Sequence, residues 1–384
     1  MYDPIVEAQS IVPSLRATAP ASEKQRKLAD EAVLSLRDAG LSRLMAPRRY
    51  GGFEFTPREQ ILTNAITAQG CPAASWVQMV CAAHSFILGR FPERCQEEIF
   101  GDDPNALIPG TPAGQGSCAP ADGGWVMNGR WQFCSGVEHG QWIMAGSTGI
   151  KDEAGKKTPN MLVVMRAEEV IIDDTWHVLG MRGTGSKDIV ADNVFVPEHR
   201  AVPIVKAFLG TIADIDRALY RLPIPATLSA MGAGTILGIT ERGIDVFIEQ
   251  TRIRQDIYVG GAKAHRAGLQ MRIAEAKTEV ELARSLVERN CDLLDTAMVD
   301  PAPMPVDARA QVRWNATYAT QLCRRAADRI YSAAGAHATY DVNPLQSFFR
   351  DISTVSHHGV LDFDTVAEIQ GKVLLNVEQN YAMV

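Results

Sequence analysis

Serine, histidine and arginine are the residues of this chain whose neighbours suggest chemistry. Ser135 lies in Phe133-Cys134-Ser135-Gly136, a short polar run after an aromatic residue. No bulky aliphatic group stands there, so a planar ligand could lie against the backbone with the Ser135 hydroxyl free to bond one of its ring atoms. The same run also reads as the plain end of a strand with a turn after it. His357 and His358 are adjacent, and adjacent side chains cannot both face one site from regular structure. With no second ligand cluster at zinc spacing, they do not read as a metal centre. Arg252-Ile253-Arg254 stands in a helical stretch and by itself is a solvated basic face. His84 falls eight residues after Trp76, with Val80 between them, on one side of a helix. It either lines a cavity there or is a satisfied core histidine.

Several elements must position these groups. Val126-Met127 and Arg130 to Phe133 flank Asn128-Gly129, the dipeptide that most favours a two-residue hairpin turn, so a hairpin is predicted to end at Cys134. Towards the N-terminus, Ser22 with Gln25 forms a capping-box pattern, and Leu28, Ala32 and Leu36 recur before Gly40, which predicts a helix starting at Ser22. Thr56, Pro57 and Glu59 fit N-cap, N1 and N3 of a second helix that runs to Gly70 and stops at Cys71-Pro72. A third, from Ala74 to about Gly89, is apolar around most of its circumference and should be buried. Residues 105–205 are rich in Gly and Pro with short β-branched runs, the signature of a small antiparallel β-domain. From Thr227 helical patterning returns, including stretches at 262–298 and 308–333. The order helices, strands, helices makes the chain α+β, with domains at 1–104, 105–205 and 206–384.

Composition excludes other classes. The 384 residues carry a net charge of −7, and no run of five or more Lys/Arg occurs, so neither nucleic acid nor an anionic membrane is an expected partner. The N-terminus lacks the pattern of a secretory leader and the most apolar window, 76–89, is too short and too interrupted to span a membrane. The expected location is the cytoplasm. Seven cysteines without a C-x-x-C pair argue for buried thiols rather than a disulfide framework or a zinc knuckle. Gly183-Thr184-Gly185-Ser186-Lys187 lacks the spacing of a phosphate loop and runs into a strand-like segment, and no G-x-G-x-x-G follows a predicted strand. A bound nicotinamide dinucleotide on a Rossmann unit is therefore not supported.

Three blocks taken together resemble one family: GGWVMNGRWQFCSGVEHGQW (Gly123 to Trp142), WHVLGMRGTGSKDIVADNVFVP (Trp176 to Pro197) and FFRDISTVSHHG (Phe348 to Gly359). They are similar to the reduced-flavin-dependent monooxygenases of the acyl-CoA dehydrogenase fold, the oxygenase components of two-component systems such as the hydroxyphenylacetate and steroid-phenol hydroxylases. The resemblance implies an N-terminal helical domain, a central β-barrel-like domain and a C-terminal helical bundle. It also implies reduced FMN or FAD and dioxygen as cofactors, a C4a-hydroperoxyflavin that hydroxylates a small aromatic substrate such as a phenol or indole, a separate NAD(P)H:flavin reductase, and a homotetramer.

Residue roles come over with it. Ser135 would hold the flavin N5 proton, Trp76 and Phe133 would wall the ring, and Gly110 and Cys134 would supply close backbone contacts. Arg252 matches the arginine that pairs with the flavin phosphate, Ala336 and His337 stand beside the flavin, often across a subunit boundary, and Gly359 adjoins the site. His139 belongs to the family's SGxxHxxW pattern, with a structural role in the turn. Counting seven residues from Asp351 puts the family's substrate histidine on His358, an imidazole suited to take a proton from, or to orient, a phenol or indole; His84 is a second candidate on the substrate side. Acyl-CoA dehydrogenases, the alternative, carry a glutamate soon after the corresponding Arg-Asp, whereas Ser356 to Val360 contains no acid. Oxygenation at sulfur or nitrogen by the same fold stays open, as does a flavin-binding protein without catalysis.

Overall fold

The computed structural model describes residues 2–151, 157–212, 217–256 and 260–378. Helix α1 (Pro4–Gln25) is capped by Asp3, whose carboxylate accepts from the Ile5 and Val6 amides. Ser22 therefore does not open a helix. It sits in the last turn of α1, the chain turns at Arg26 with φ 55°, and α2 (Asp30–Asp38) follows. The Ser22 hydroxyl accepts from the Ala29 amide at 3.0 Å, so its capping capacity closes the turn between two helices. Gly40, with φ 69°, ends α2 as expected.

Local signals are obeyed in α3 (Pro57–Ala68). Thr56 Oγ1 accepts from the Arg58 amide, and the Glu59 carboxylate accepts from the Thr56 amide at 3.0 Å. Cys71-Pro72 then starts α4 (Pro72–Leu88), with proline at the first helical position; nearly every residue of α4 is buried. Helix α5 (Glu93–Phe100) completes the N-terminal helices.

Among the described residues seven strands form one sheet: β1 (Gly110–Ala121), β2 (Gly124–Cys134), β3 (Trp142–Gly149), β4 (Met161–Arg166), β5 (Ile171–Asp173), β6 (Lys187–Pro197) and β7 (Ala201–Pro203), in the order β5-β6-β2-β1-β3-β4-β7. The expected hairpin turn at Asn128-Gly129 is a correction. Ala121 pairs with Gly124 and the β1–β2 turn is Asp122-Gly123, with Gly123 at φ 72°. Asn128-Gly129 instead lies inside β2 at an irregularity, where the register against β6 shifts between Met127 and Gly129 and Gly129 takes φ 146°. Both dipeptides can supply positive φ, and the pairing of whole strands decided which became the turn. After β2 the chain passes to the far edge of β1, so β3 runs parallel to β1 while every other pair is antiparallel. Among the described residues the sheet has β5 at one edge and β7 at the other.

The C-terminal part consists of α6 (Ile204–Leu209), α7 (Ile224–Ile253), α8 (Ala267–Val299), α9 (Val306–Ala334), α10 (Pro344–Val355) and α11 (Phe363–Leu374). A main core joins these helices to α1–α5, and a second core lies on the sheet around Trp131, whose indole N–H donates to the Gly146 carbonyl at 2.6 Å. All seven cysteines are buried and unpaired. Among the described residues no helix is long and apolar enough to cross a membrane.

Candidate active site

Ser135 leaves β2 after a residue in strained backbone. Phe133 takes φ 65°, rare for a non-glycine residue, its ring is 60% exposed, and it meets the indole of Trp176 edge-on at 6.2 Å. Cys134 points the other way, into the sheet core, where burial pushes its thiol up to about 12; its backbone is paired with Lys187 of β6. Ser135 itself is buried, and its hydroxyl is not free. It lies 2.7 Å from Ser186 Oγ, which lies 2.7 Å from Thr184 Oγ1, and Thr184 donates to the Met181 carbonyl at 2.8 Å. Gly136, at φ 77°, packs so closely on α4 that a Cβ there would meet Val77 Cγ1 at 2.7 Å. The Ser135 segment is thus pinned between the sheet, the Met181–Gly185 turn and α4.

Trp76, one residue before Val77 on α4, is buried and meets the His358 ring at 5.1 Å. His358 stands three residues after α10, partly buried, and desolvation lowers its pKa to about 4. The Val360 amide donates to its Nδ1 at 3.4 Å, so the neutral ring carries its proton on Nε2 and presents an N–H rather than a lone pair. His357 faces away, exposed, with Nδ1 on the Ser353 carbonyl at 2.6 Å. The two acids flanking this segment are occupied elsewhere. Asp351 accepts from the Met181 amide at 2.5 Å, and Asp362 caps α11 through the Thr365 amide. Gly359 is exposed beside His358, and α7 closes the group: Ser229 donates to the Val360 carbonyl, and a Cβ on Gly232 would lie 3.8 Å from the Trp76 ring.

His84, two turns after Trp76, is fully enclosed. Its Nδ1 donates to the Ile108 carbonyl at 2.6 Å, and burial lowers its pKa to about 4. Gly110 needs no ligand to explain it, since at φ 136° any Cβ would lie 1.9 Å from the Met144 carbonyl oxygen. His139 is partly buried, with a lowered pKa from desolvation, and its Nε2 has no hydrogen-bond partner. Arg252, Ala336 and His337 form a separate, exposed cluster at the far end of α7, where Arg254 donates to the Ala334 carbonyl and Asn343 to the His337 carbonyl. Twenty residues of helix separate Arg252 from Gly232, about 30 Å at 1.5 Å per residue. Arg252 thus stands well away along α7 from the residue that faces Trp76.

Residues 230–363 match the family model described as "Acyl-CoA dehydrogenase, C-terminal domain". The chain is 31% identical, over 92% of its length and 90% of the relative's, to the flavin-dependent monooxygenase oxygenase subunit HsaA of Mycobacterium tuberculosis. It belongs to the oxygenase components of the flavin-dependent monooxygenases. A second member, p-hydroxyphenylacetate 3-hydroxylase, oxygenase component, of Acinetobacter baumannii, is 29% identical over 98% of this chain and 90% of its own. The solved structure of 3-HSA hydroxylase from Rhodococcus sp. RHA1 superposes with a TM-score of 0.92 at 27% identity, covering 98% of each chain.

For such an oxygenase the Ser135 region fits a flavin. An exposed aromatic plane on strained backbone at Phe133 stands next to a buried hydroxyl that can still accept a hydrogen bond. Three residues of this oxygenase were passed over in the sequence. Thr184 and Ser186 lie in the segment that lacks phosphate-loop spacing, and Asp351 serves there only to count to His358. The alternation of Thr and Ser around Gly185, with φ 54° at that glycine, was the available signal, since it turns both hydroxyls to one side.

Proposed function

We propose that this oxygenase component hydroxylates a small electron-rich aromatic, a phenol or an indole, with reduced FMN or FAD and dioxygen, and that a separate NAD(P)H:flavin reductase supplies the flavin. The observation that carries the reading is His358: a neutral imidazole offering Nε2–H beside Trp76, in a segment whose flanking carboxylates are both engaged. When bound, reduced flavin supplies two electrons to dioxygen, so that one oxygen atom enters the substrate and the other leaves as water.

This chain's residues supply the setting. Trp76 and Phe133 wall the ring, Ser135 accepts its N–H, and α4 keeps bulk water away with an almost wholly buried surface. His358 donates from Nε2 to the substrate oxygen, which fixes the orientation of the ring and stabilises negative charge developing on that oxygen. A pKa near 4 makes it a poor proton acceptor, so it positions the substrate and polarises it rather than removing its proton. His84 lies on the same helix side, with its proton on Nδ1 and its Nε2 available to a substrate hydroxyl.

Arg252, Ala336 and His337 serve the flavin of a neighbouring subunit, since they stand at the end of α7 away from Trp76. An open groove of about 790 Å³ between α8 and α9, with Leu282 and Tyr318 exposed, supports assembly through the C-terminal helices into a homotetramer. The division at 1–104, 105–205 and 206–384 sets flavin between sheet and helices.

Supplying chemically reduced flavin and oxygen to the protein with a panel of phenols, indoles and thioethers tests the reading. A hydroxylated aromatic formed in proportion to oxygen used supports it. Copurifying oxidised FAD that bleaches on adding an acyl-CoA, with no oxygenated product, would transfer the chain to the dehydrogenases.

A further inference from the structure

The hydroxyl chain beneath Ser135 has only one direction. The Met181 carbonyl can accept and never donate, so Thr184 commits its single hydroxyl proton to it at 2.8 Å. The 2.7 Å contact between Thr184 and Ser186 must then use the Ser186 proton, and the 2.7 Å contact between Ser186 and Ser135 must use the Ser135 proton. Every hydroxyl is satisfied in that order and in no other. What remains on Ser135 Oγ is lone pairs.

The Met181 carbonyl is itself well anchored. It also accepts from the Trp176 indole N–H at 3.2 Å and the Thr184 amide at 3.1 Å, while the Met181 amide donates to Asp351. All three hydroxyl residues are at most 4% exposed, so solvent does not compete for these protons.

We infer that Ser186 and Thr184 are positioning residues that hold Ser135 as an obligate acceptor, and that this makes the site select the reduced flavin, whose central nitrogen carries N–H, over the oxidised flavin, whose nitrogen is itself an acceptor. The inference rests on the flavin reading above. With the oxidised ring two acceptors face each other across a buried gap, and neither can supply a proton. Cutting the chain at Ser186 releases the Ser135 hydroxyl to turn and donate, which relieves that conflict.

Dissociation constants for oxidised and for anaerobically reduced FMN and FAD, measured by fluorescence or absorbance titration on wild type, S186A, T184V and S186T, test this without turnover. The wild type is expected to prefer the reduced flavin. S186A should narrow the preference about tenfold, equivalent to roughly 30 mV in the potential of bound flavin, chiefly through tighter oxidised binding. T184V should act in the same direction, and S186T, which keeps the hydroxyl, should restore the wild-type ratio. T184V carries the test if S186A does not fold. A folded S186A or T184V that binds both flavins with the wild-type ratio overturns the inference and leaves the flavin site standing. A wild type that binds neither flavin overturns the reading beneath it.

Discussion

Asp351 Oδ1 accepts the Met181 amide at 2.5 Å, and this contact ties the helix that leads to His358 to the turn that carries Thr184 and Ser186. The Asp351 carboxyl thus helps to join the two halves of the site. Next to it Arg350 donates to the Leu179 carbonyl at 2.7 Å and pairs with Glu23 at 2.6 Å, so the same helix turn also reaches α1.

Burial raises the Asp351 carboxyl to about 7, so its acceptor oxygen matters more than its charge. D351N keeps a carbonyl oxygen and should stay within about 1 kcal/mol of wild type, whereas D351A leaves the Met181 amide unpaired at a cost of about 1–3 kcal/mol. Denaturant midpoints measure both. Equal loss in the two variants would mean that charge, not acceptance, holds the turn.

His84 and His358 are both held well below the ordinary histidine value, at about 4. A depressed histidine pKa means that the unfolded chain binds more protons than the folded one. Stability is then complete above about pH 6.5 and falls as pH drops towards 4. For His84, wholly buried, the loss reaches about 3 kcal/mol at the acid end. Thermal melts across pH 4–7 should show this slope, and H84Q, which keeps a donor for the Ile108 carbonyl, should flatten it.

If His358 acts by donating, hydroxylation shows no histidine limb between pH 5.5 and 8. H358A should lower product formed per oxygen consumed by about tenfold, and H358Q, which retains an N–H, should recover part of it. A clear activity limb near pH 6.5 that disappears in H358A would restore the role of a base.

Arg252 is exposed and has no hydrogen-bond or ion-pair partner among the described residues. R252Q should weaken flavin binding by about tenfold, or 1.4 kcal/mol, and leave the melting temperature unchanged. Unaltered affinity would show that the distal cluster serves no flavin.

The two Gly-containing turn signals of the sheet make opposite predictions. Gly129 takes φ 146° with the Gly116 backbone 2.7 Å from where a Cβ would stand, and G129A should cost about 3 kcal/mol. Gly123, at φ 72°, faces open space, so G123A should cost about 1 kcal/mol. Chemical denaturation separates them.

What the sequence by itself determined is what depends on neighbours within a few residues. Thr56, Pro57 and Glu59 set the start of α3 because a cap satisfies amides one turn away. The apolar circumference of α4 announced its burial, and the missing acid at Ser356 to Val360 turned the reading away from a dehydrogenase. Tertiary structure decided the rest. Asp122-Gly123 and Asn128-Gly129 offer the same backbone freedom, and only pairing with β6 made one a turn and the other an irregularity within β2. Ser22 could cap a helix or close a turn, and Arg26 in the left-handed region settled it. Ser135 lies some fifty residues from Ser186, so the direction of its hydroxyl was fixed by a contact no local pattern records. The separation of Arg252 from the Gly232 turn that faces Trp76 likewise follows from the length of α7, because a helix carries its residues apart by a rise that residue identity does not alter.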